Sequence, residues 1–217
     1  TALANGNPIA VICRNTVQET TDATGRQGFA AATTGIARVR QYTYDTFGQV
    51  LTATDPNNRT TTTVYYAAND PDVGKRANVQ TITNPLGHVT RYTAYDANGR
   101  PTSIADPNGI VTALTYHPRG WLTSRTIGGE STTYVYDGVG QLTKVTVPDG
   151  SYVQYTYDGA HRLTQIQDGL GNRIFYTLDA MVNRIKEQAY DPSGQLARAK
   201  QQVFDGLNRL HQSVGAQ

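Results

Sequence analysis

The residues that fill an ordinary protein interior are scarce here: 217 residues include one Met, one Trp, one Cys and four Phe, and only 38% of the chain is hydrophobic. The lone cysteine, Cys13, excludes an intramolecular disulfide framework and any multi-cysteine metal site, and is expected to be an inert strand residue. No run approaches the roughly eighteen apolar residues that span a bilayer. The longest near the start, Ile9-Ala10-Val11-Ile12-Cys13, is strand-sized, so no membrane span is expected in this segment. Charge of one sign is also missing. The 19 basic and 17 acidic residues leave a net charge of +2 and no basic stripe of the kind that neutralises phosphates, which argues against nucleic acid as a partner. The opening Thr1-Ala2-Leu3 carries neither Met nor a signal peptide, and Val214-Gly215-Ala216-Gln217 follows directly on a strand-like run. The chain therefore reads as a fragment of something longer.

What is present in quantity is Tyr, with 14 copies, alongside Thr and Val; all three favour strands. One phrase recurs: an aromatic, Asp, two residues, Gly or a substitute, then often Arg or Gln and an aliphatic. It runs Tyr44-Asp45-Thr46-Phe47-Gly48-Gln49-Val50, Tyr95-Asp96-Ala97-Asn98-Gly99-Arg100, Tyr136-Asp137-Gly138-Val139-Gly140-Gln141-Leu142, Tyr157-Asp158-Gly159-Ala160-His161-Arg162-Leu163 and Phe204-Asp205-Gly206-Leu207-Asn208-Arg209-Leu210. Fainter copies are Tyr116-His117-Pro118-Arg119-Gly120-Trp121-Leu122, Leu178-Asp179 leading to Asn183-Arg184-Ile185, and Asp22-Ala23-Thr24-Gly25-Arg26. From Tyr95 the steps to Tyr116, Tyr136, Tyr157 and Leu178 are about twenty-one residues each, the mark of a short-period array.

Between phrases lies a second turn signal, as in Asp55-Pro56-Asn57-Asn58, Asn84-Pro85-Leu86-Gly87, Asp106-Pro107-Asn108-Gly109, Pro148-Asp149-Gly150, Asp168-Gly169-Leu170-Gly171 and Asp191-Pro192-Ser193-Gly194. Pro pre-sets φ, Asp or Asn bonds its own backbone, and Gly accepts positive φ, which suits a type I turn followed by a bulge. In the first phrase Asp45, Asp96, Asp137, Asp158 and Asp205 are expected to make Asx-type bonds. Gly48, Gly99, Gly120 and Gly140 fill the left-handed slot, with His161 and Asn208 standing in for Gly. Each repeat is then strand, turn, strand, turn, with no room for a helix. Aromatics two apart, Tyr42/Tyr44, Tyr134/Tyr136 and Tyr155/Tyr157, share a strand face and, with Tyr95 and Tyr116, are expected to form an aromatic ladder. The exit strands Leu142-Thr143-Lys144-Val145 and Leu163-Thr164-Gln165-Ile166 space their aliphatics by three, which calls for a bulge or strong twist.

Such hairpins are unstable alone and must pair side by side, giving about sixteen to eighteen strands in one long, curled antiparallel sheet. A propeller lacks its Trp-Asp or kelch marks. The recurring carboxylates sit one per repeat in matching turn slots, whereas catalytic pairs need two different environments, so no catalytic residue is assigned. No loop matches an EF-hand or the calcium-binding nonapeptide, and His88, His117, His161 and His211 fall at unrelated points of the repeat, so neither metal nor cofactor is expected. Neither a nucleophile elbow nor a phosphate loop appears. Exposed Tyr among Asn, Gln, Thr and Arg suits carbohydrate, giving a second reading as a cell-surface glycan-binding (adhesion) module; a surface filament scaffold is a third. The insertion Ala67-Ala68-Asn69-Asp70-Pro71-Asp72-Val73-Gly74-Lys75-Arg76-Ala77-Asn78 is the loop best placed to meet a partner.

From Asp22 to Leu210 these phrases resemble the YD-repeat, or RHS-repeat, family, because dipeptide, Gly offset, Arg/Gln-Leu-Thr continuation and Asp-Pro-x-Gly turn recur together. The resemblance implies an all-β array over 1–217 forming part of a spiral, hollow β-shell. In that family bacterial polymorphic toxins and insecticidal Tc complexes enclose a C-terminal toxin domain, and teneurins use a related barrel in adhesion. Partners would then be the remaining repeats and a C-terminal cargo domain of the same chain, at a secreted or cell-surface location. The family's C-terminal core motif with autoproteolytic aspartates is not visible here, so the resemblance assigns these residues neither cleavage nor a toxin.

Overall fold

The computed structural model describes residues 10–216 apart from 23 and 25, so Ile9, Ala23 and Gly25 of the sequence motifs, and the first residues of the chain, lie outside the described residues. The chain divides into two compact units, residues 1–112 and 113–217. In the first, β1 (Arg14–Thr20), β2 (Thr33–Tyr44), β3 (Val50–Thr54), β4 (Thr60–Tyr65), β5 (Val79–Thr83), β6 (Val89–Tyr95) and β7 (Pro101–Ala105) follow in order, with one 3-10 turn at Gly28–Ala30. The strand β8 (Val111–Tyr116) contains the point of division. In the second unit come β9 (Leu122–Ile127), β10 (Glu130–Tyr136), β11 (Leu142–Thr146), β12 (Tyr152–Tyr157), β13 (Leu163–Asp168), β14 (Arg173–Leu178), β15 (Arg184–Tyr190), β16 (Leu196–Phe204) and β17 (Leu210–Ala216).

The fold is all-β. Within the first unit each strand from β1 to β7 pairs antiparallel with its chain neighbours. The same holds from β9 to β17 in the second. Such meanders follow from tight turns, which can join only antiparallel neighbours. Cys13 corrects one expectation: it lies one residue ahead of β1, exposed, although its carbonyl accepts the Tyr42 N–H at 2.9 Å.

Register explains the aliphatic spacing of three. Val135 pairs with Lys144 and Tyr136 with Leu142, which leaves Thr143 as an extra residue on the exit strand. The same slip leaves Leu51 extra in β3 and Thr164 extra in β13. Each slip restores the aliphatics to the aromatic face, since directly paired residues share a side. That face carries Tyr134–Val145–Val153 and Tyr155–Ile166–Ile174 in the second unit, and Tyr42–Ala53 and Tyr92–Ile104 in the first. The opposite face is hydroxylic. There Thr43 and Thr52 bond at 2.6 Å, Thr54 and Thr60 at 2.9 Å, and Ser124 and Ser131 at 3.1 Å. Among the described residues no hydrophobic side chain is fully buried: the aromatic face is half-covered by its own neighbours and by no second layer.

Candidate functional site

Thirteen turns among the described residues share one geometry over five slots. The slot 1 N–H donates to the slot 5 carbonyl and the slot 4 N–H to the slot 1 carbonyl, as in Asp158 N to Arg162 O and His161 N to Asp158 O, each at 2.9 Å. Asp45, Asp96, Asp137, Asp158 and Asp205 occupy slot 1. Slot 4 holds Gly48, Gly99, Gly120, Gly140, His161 and Asn208, all at positive φ. The Asp-Pro turns have this same architecture, so the two turn signals of the sequence are one structure used at both ends of the hairpins. The slot 1 carboxylate works on two sides. At Asp158, Oδ1 accepts the Ala160 and Arg162 N–H groups at 2.9 and 3.0 Å, while Oδ2 takes the Arg162 Nε at 2.7 Å. Asn172 and Asn183 cap Asp168 and Asp179 in the same way, and Arg100 and Arg209 cap Asp96 and Asp205.

These bonds hold several carboxyls below their ordinary value. The Arg162 side chain is the largest influence on Asp158, the Asn172 and Asn183 amides on Asp168 and Asp179, and the Arg209 backbone N–H on Asp205. A carboxylate held by so many donors is tied to its turn and poorly placed to shuttle protons. Among the described residues no group of three His, Cys, Asp or Glu side chains could hold a metal.

The tyrosines act chiefly through their hydroxyls. Tyr157 Oη donates to the Leu142 carbonyl at 2.9 Å, Tyr65 to Val50 at 3.0 Å, Tyr95 to Val79 at 2.6 Å and Tyr44 to Ile12 at 2.8 Å. In the first three cases the acceptor lies two residues beyond the last paired residue of a strand ladder, where neighbouring strands part. The hydroxyl closes that gap. Ring contacts are local: Tyr95 meets Tyr92 and Tyr66 at centroid distances of 6.4 and 6.3 Å, and Tyr42, Tyr134 and Tyr155 lie half-buried on the aromatic face. Burial, then Tyr92 and Tyr66, push the Tyr95 phenol up to about 12.

Slots 3 and 5 also link successive turns, a role that sequence reasoning missed although the recurrent Arg/Gln signalled it. Gln141 Nε2 donates to the His161 carbonyl at 2.8 Å while His161 Nδ1 meets Gln141 Oε1 at 2.9 Å. Arg162 reaches the Asp179 carbonyl at 3.2 Å, and Arg119 reaches that of Gly138 at 2.6 Å. The insertion loop joins the same chain of contacts. Gln49 bonds the Ala77 carbonyl at 2.7 Å, and Gly74, a buried residue, packs so closely on the Asp96 backbone that a Cβ there would lie 2.3 Å from the Asp96 carbonyl oxygen.

Three turns have no carboxylate in slot 1: 84–88 with Asn84, 147–151 with Val147, and 117–121. In the turn 117–121 the slot 1 residue is His117, whose Nδ1 accepts the Arg119 N–H at 3.2 Å, and slot 5 is Trp121. The indole stacks on His117 at 4.8 Å and lies 5.4 Å from Tyr136, with the Arg119 guanidinium 5.5 Å from its centroid. Trp121 also lies against Gly140, where a Cβ would come within 2.5 Å of its ring. An open cavity of about 480 Å³ beside it is lined by His117, Arg119, Trp121, Tyr134, Tyr136 and Asp137 among others.

Comparison with known proteins follows the repeats. The family model described as RHS Repeat matches residues 78–109, 95–129 and 136–173. No curated protein matches the sequence. Among solved structures, one of TcdB2-TccC3-Cdc42 superposes with a TM-score of 0.70 at 16% identity over 97% of this chain. One of TcdB2-TccC3 gives 0.69 at 17% over 99%, and a Photorhabdus luminescens Tc holotoxin pore gives 0.70 at 18% over 97%. The chain spans 12% of the length of each of those chains. At such identities the likeness is one of fold, an all-β array of antiparallel hairpins. With the family model falling on the turn-and-strand phrases themselves, residues 78–129 and 136–173 carry RHS, or YD, repeats.

Proposed function

We propose that this chain is a stretch of wall in a larger secreted toxin-type protein, whose repeats enclose or present a C-terminal effector domain carried on the same polypeptide. The observation that carries the reading is the two-sidedness of the strands in each unit. A row of Tyr, Val and Ile in the second unit, and of Tyr, Ile, Ala and Thr in the first, lies on one side with no second layer among the described residues of that unit, and Thr and Ser bonded to one another lie on the other. A one-layer wall needs such a division, because its stability has to come from lateral neighbours. The turn carboxylates, engaged by backbone and slot 5 donors, suit a structural role, and the Tc-type likenesses support association with a toxin.

The test is digestion of the full-length parent by protease, followed by intact mass. A C-terminal polypeptide that co-purifies and resists cleavage until the repeats unfold is the expected result. An absent or freely digested C-terminus would favour an adhesion or scaffold role instead.

A further inference from the structure

We propose that the outer edge of β2 over residues 33–40 is a strand-addition site for an extended acidic peptide, with Arg38 and Arg40 as the side chains that read its charge. This goes beyond the wall function and does not depend on it. Register exposes the edge. The strand β2 runs from Thr33 to Tyr44, yet its pairing with β3 covers only Gln41 to Tyr44. From Thr33 to Arg40 it is partnered, among the described residues, on the β1 side alone, so this part of the hairpin overhangs its unit as a two-stranded ribbon. The Tyr42 N–H donates toward β1, to the Cys13 carbonyl, and backbone groups alternate sides along an antiparallel strand. With no slip in register between Arg38 and Gln41, the Val39 N–H and carbonyl point to the open side, past the end of β3. Such an edge is a template for another strand, and a two-stranded ribbon is the structure that gains most from a third.

The side chains select the partner. Arg38 and Arg40 stand two apart on one face of β2, opposite Val17 and Asn15 of β1. These four residues and Pro56 line an open cavity of about 330 Å³, which leaves room on the arginine face for the side chains of an added strand. Both arginines are exposed. Arg40 makes no ion pair among the described residues, and Arg38 meets Glu19 at 3.6 Å with the two side chains 71% and 74% exposed, a contact worth little and open to exchange. A second copy pairing antiparallel about Val39 would set Arg38 against Arg40, and like charges directly opposite destabilise a strand pair. A basic strand meets the same penalty. An acidic strand with carboxylates two residues apart instead places one against each arginine.

The probe is a fluorescein-labelled peptide of alternating threonine and glutamate, about eight residues long to match the overhang. Titration with the 217-residue chain should give a saturable rise in anisotropy with a Kd of about 10–500 μM at low salt, weakened about tenfold at an ionic strength of about 0.5 M. Arg38→Glu/Arg40→Glu should abolish this binding and confer binding of the matching threonine–lysine peptide. Val39→Pro, which removes an outward N–H and no bond to β1, should weaken it about tenfold with an unchanged melting temperature. Should that variant fail to fold, the glutamate peptide N-methylated throughout, which cannot pair as a strand, takes its place and should not bind the parent chain. The proposal is overturned by no saturable change with the glutamate peptide, by equal binding of the lysine peptide to the parent chain, or by binding that Val39→Pro or N-methylation leaves intact. Self-association that Val39→Pro abolishes would also overturn it, making the occupant a second copy.

Discussion

Val182 occupies slot 4 of the turn 179–183 at φ +68°, a conformation in which a β-branched side chain crowds its own backbone. Elsewhere among the described turns that slot holds Gly, Asn or His. Strain of this kind costs about 1–3 kcal/mol, and Asn tolerates the region while restricting the unfolded chain more than Gly does. Val182→Asn should therefore stabilise the protein by about 1 kcal/mol, which a rise in denaturation midpoint with unchanged slope would register. Gly140 sits in the same slot two repeats earlier, at φ +97° and against Trp121. Gly140→Val adds both backbone strain and a clash with the indole, and should cost about 2–4 kcal/mol. If both variants moved stability in the same direction, the common five-slot geometry would be the wrong account of these turns.

Between residue and array stand the contacts that join one turn to the next. The insertion 67–78 illustrates them: the sequence marks it as the polar loop best placed to meet a partner, and its backbone is also seated on the Asp96 turn through Gly74. Gly74→Ala would place a methyl 2.3 Å from the Asp96 carbonyl oxygen. It should cost about 1–3 kcal/mol, with the loss seen as faster amide exchange around Asp96–Arg100 while the amides of β2 and β3 keep their protection. What was legible in the sequence was whatever repeats: Asp in slot 1, Gly or Asn in slot 4, aromatics two apart. Each expresses a local backbone requirement that reads the same in every copy. The Tyr hydroxyl bonds, the Gln141–His161 pair and the seat of Gly74 were not legible, because each joins residues fifteen or more apart and depends on how strands diverge. The cluster at Trp121 could have been flagged, since His117 and Trp121 break the phrase at slots 1 and 5 of one turn.

For the molecule as a whole, stability is distributed over many small units: strands β1 to β7 and β9 to β17 pair with their chain neighbours within each unit, no hydrophobic residue among those described is fully buried, and ten of the thirteen turns repeat one carboxylate-centred device. A protein held this way should respond to acid through its turns. The folded state lowers the carboxyl pKa values of Asp96, Asp158, Asp168, Asp179, Asp191 and Asp205 from the ordinary 3.8. A depressed acid pKa gives stability that is present in full above the unfolded value, and it is lost as pH falls through the folded one. The melting temperature should accordingly be flat from about pH 7 to pH 5 and fall steadily below pH 4, with no transition attributable to a single group. The variant Asp158→Asn/Asp168→Asn/Asp179→Asn tests the assignment. It keeps a side-chain oxygen for the turn amides but loses the ionised oxygen that Arg162, Asn172 and Asn183 bond. It should melt lower than the parent at pH 7, and the gap should close as both are taken to pH 3. A gap that stayed constant across that range would place the acid response outside the turns.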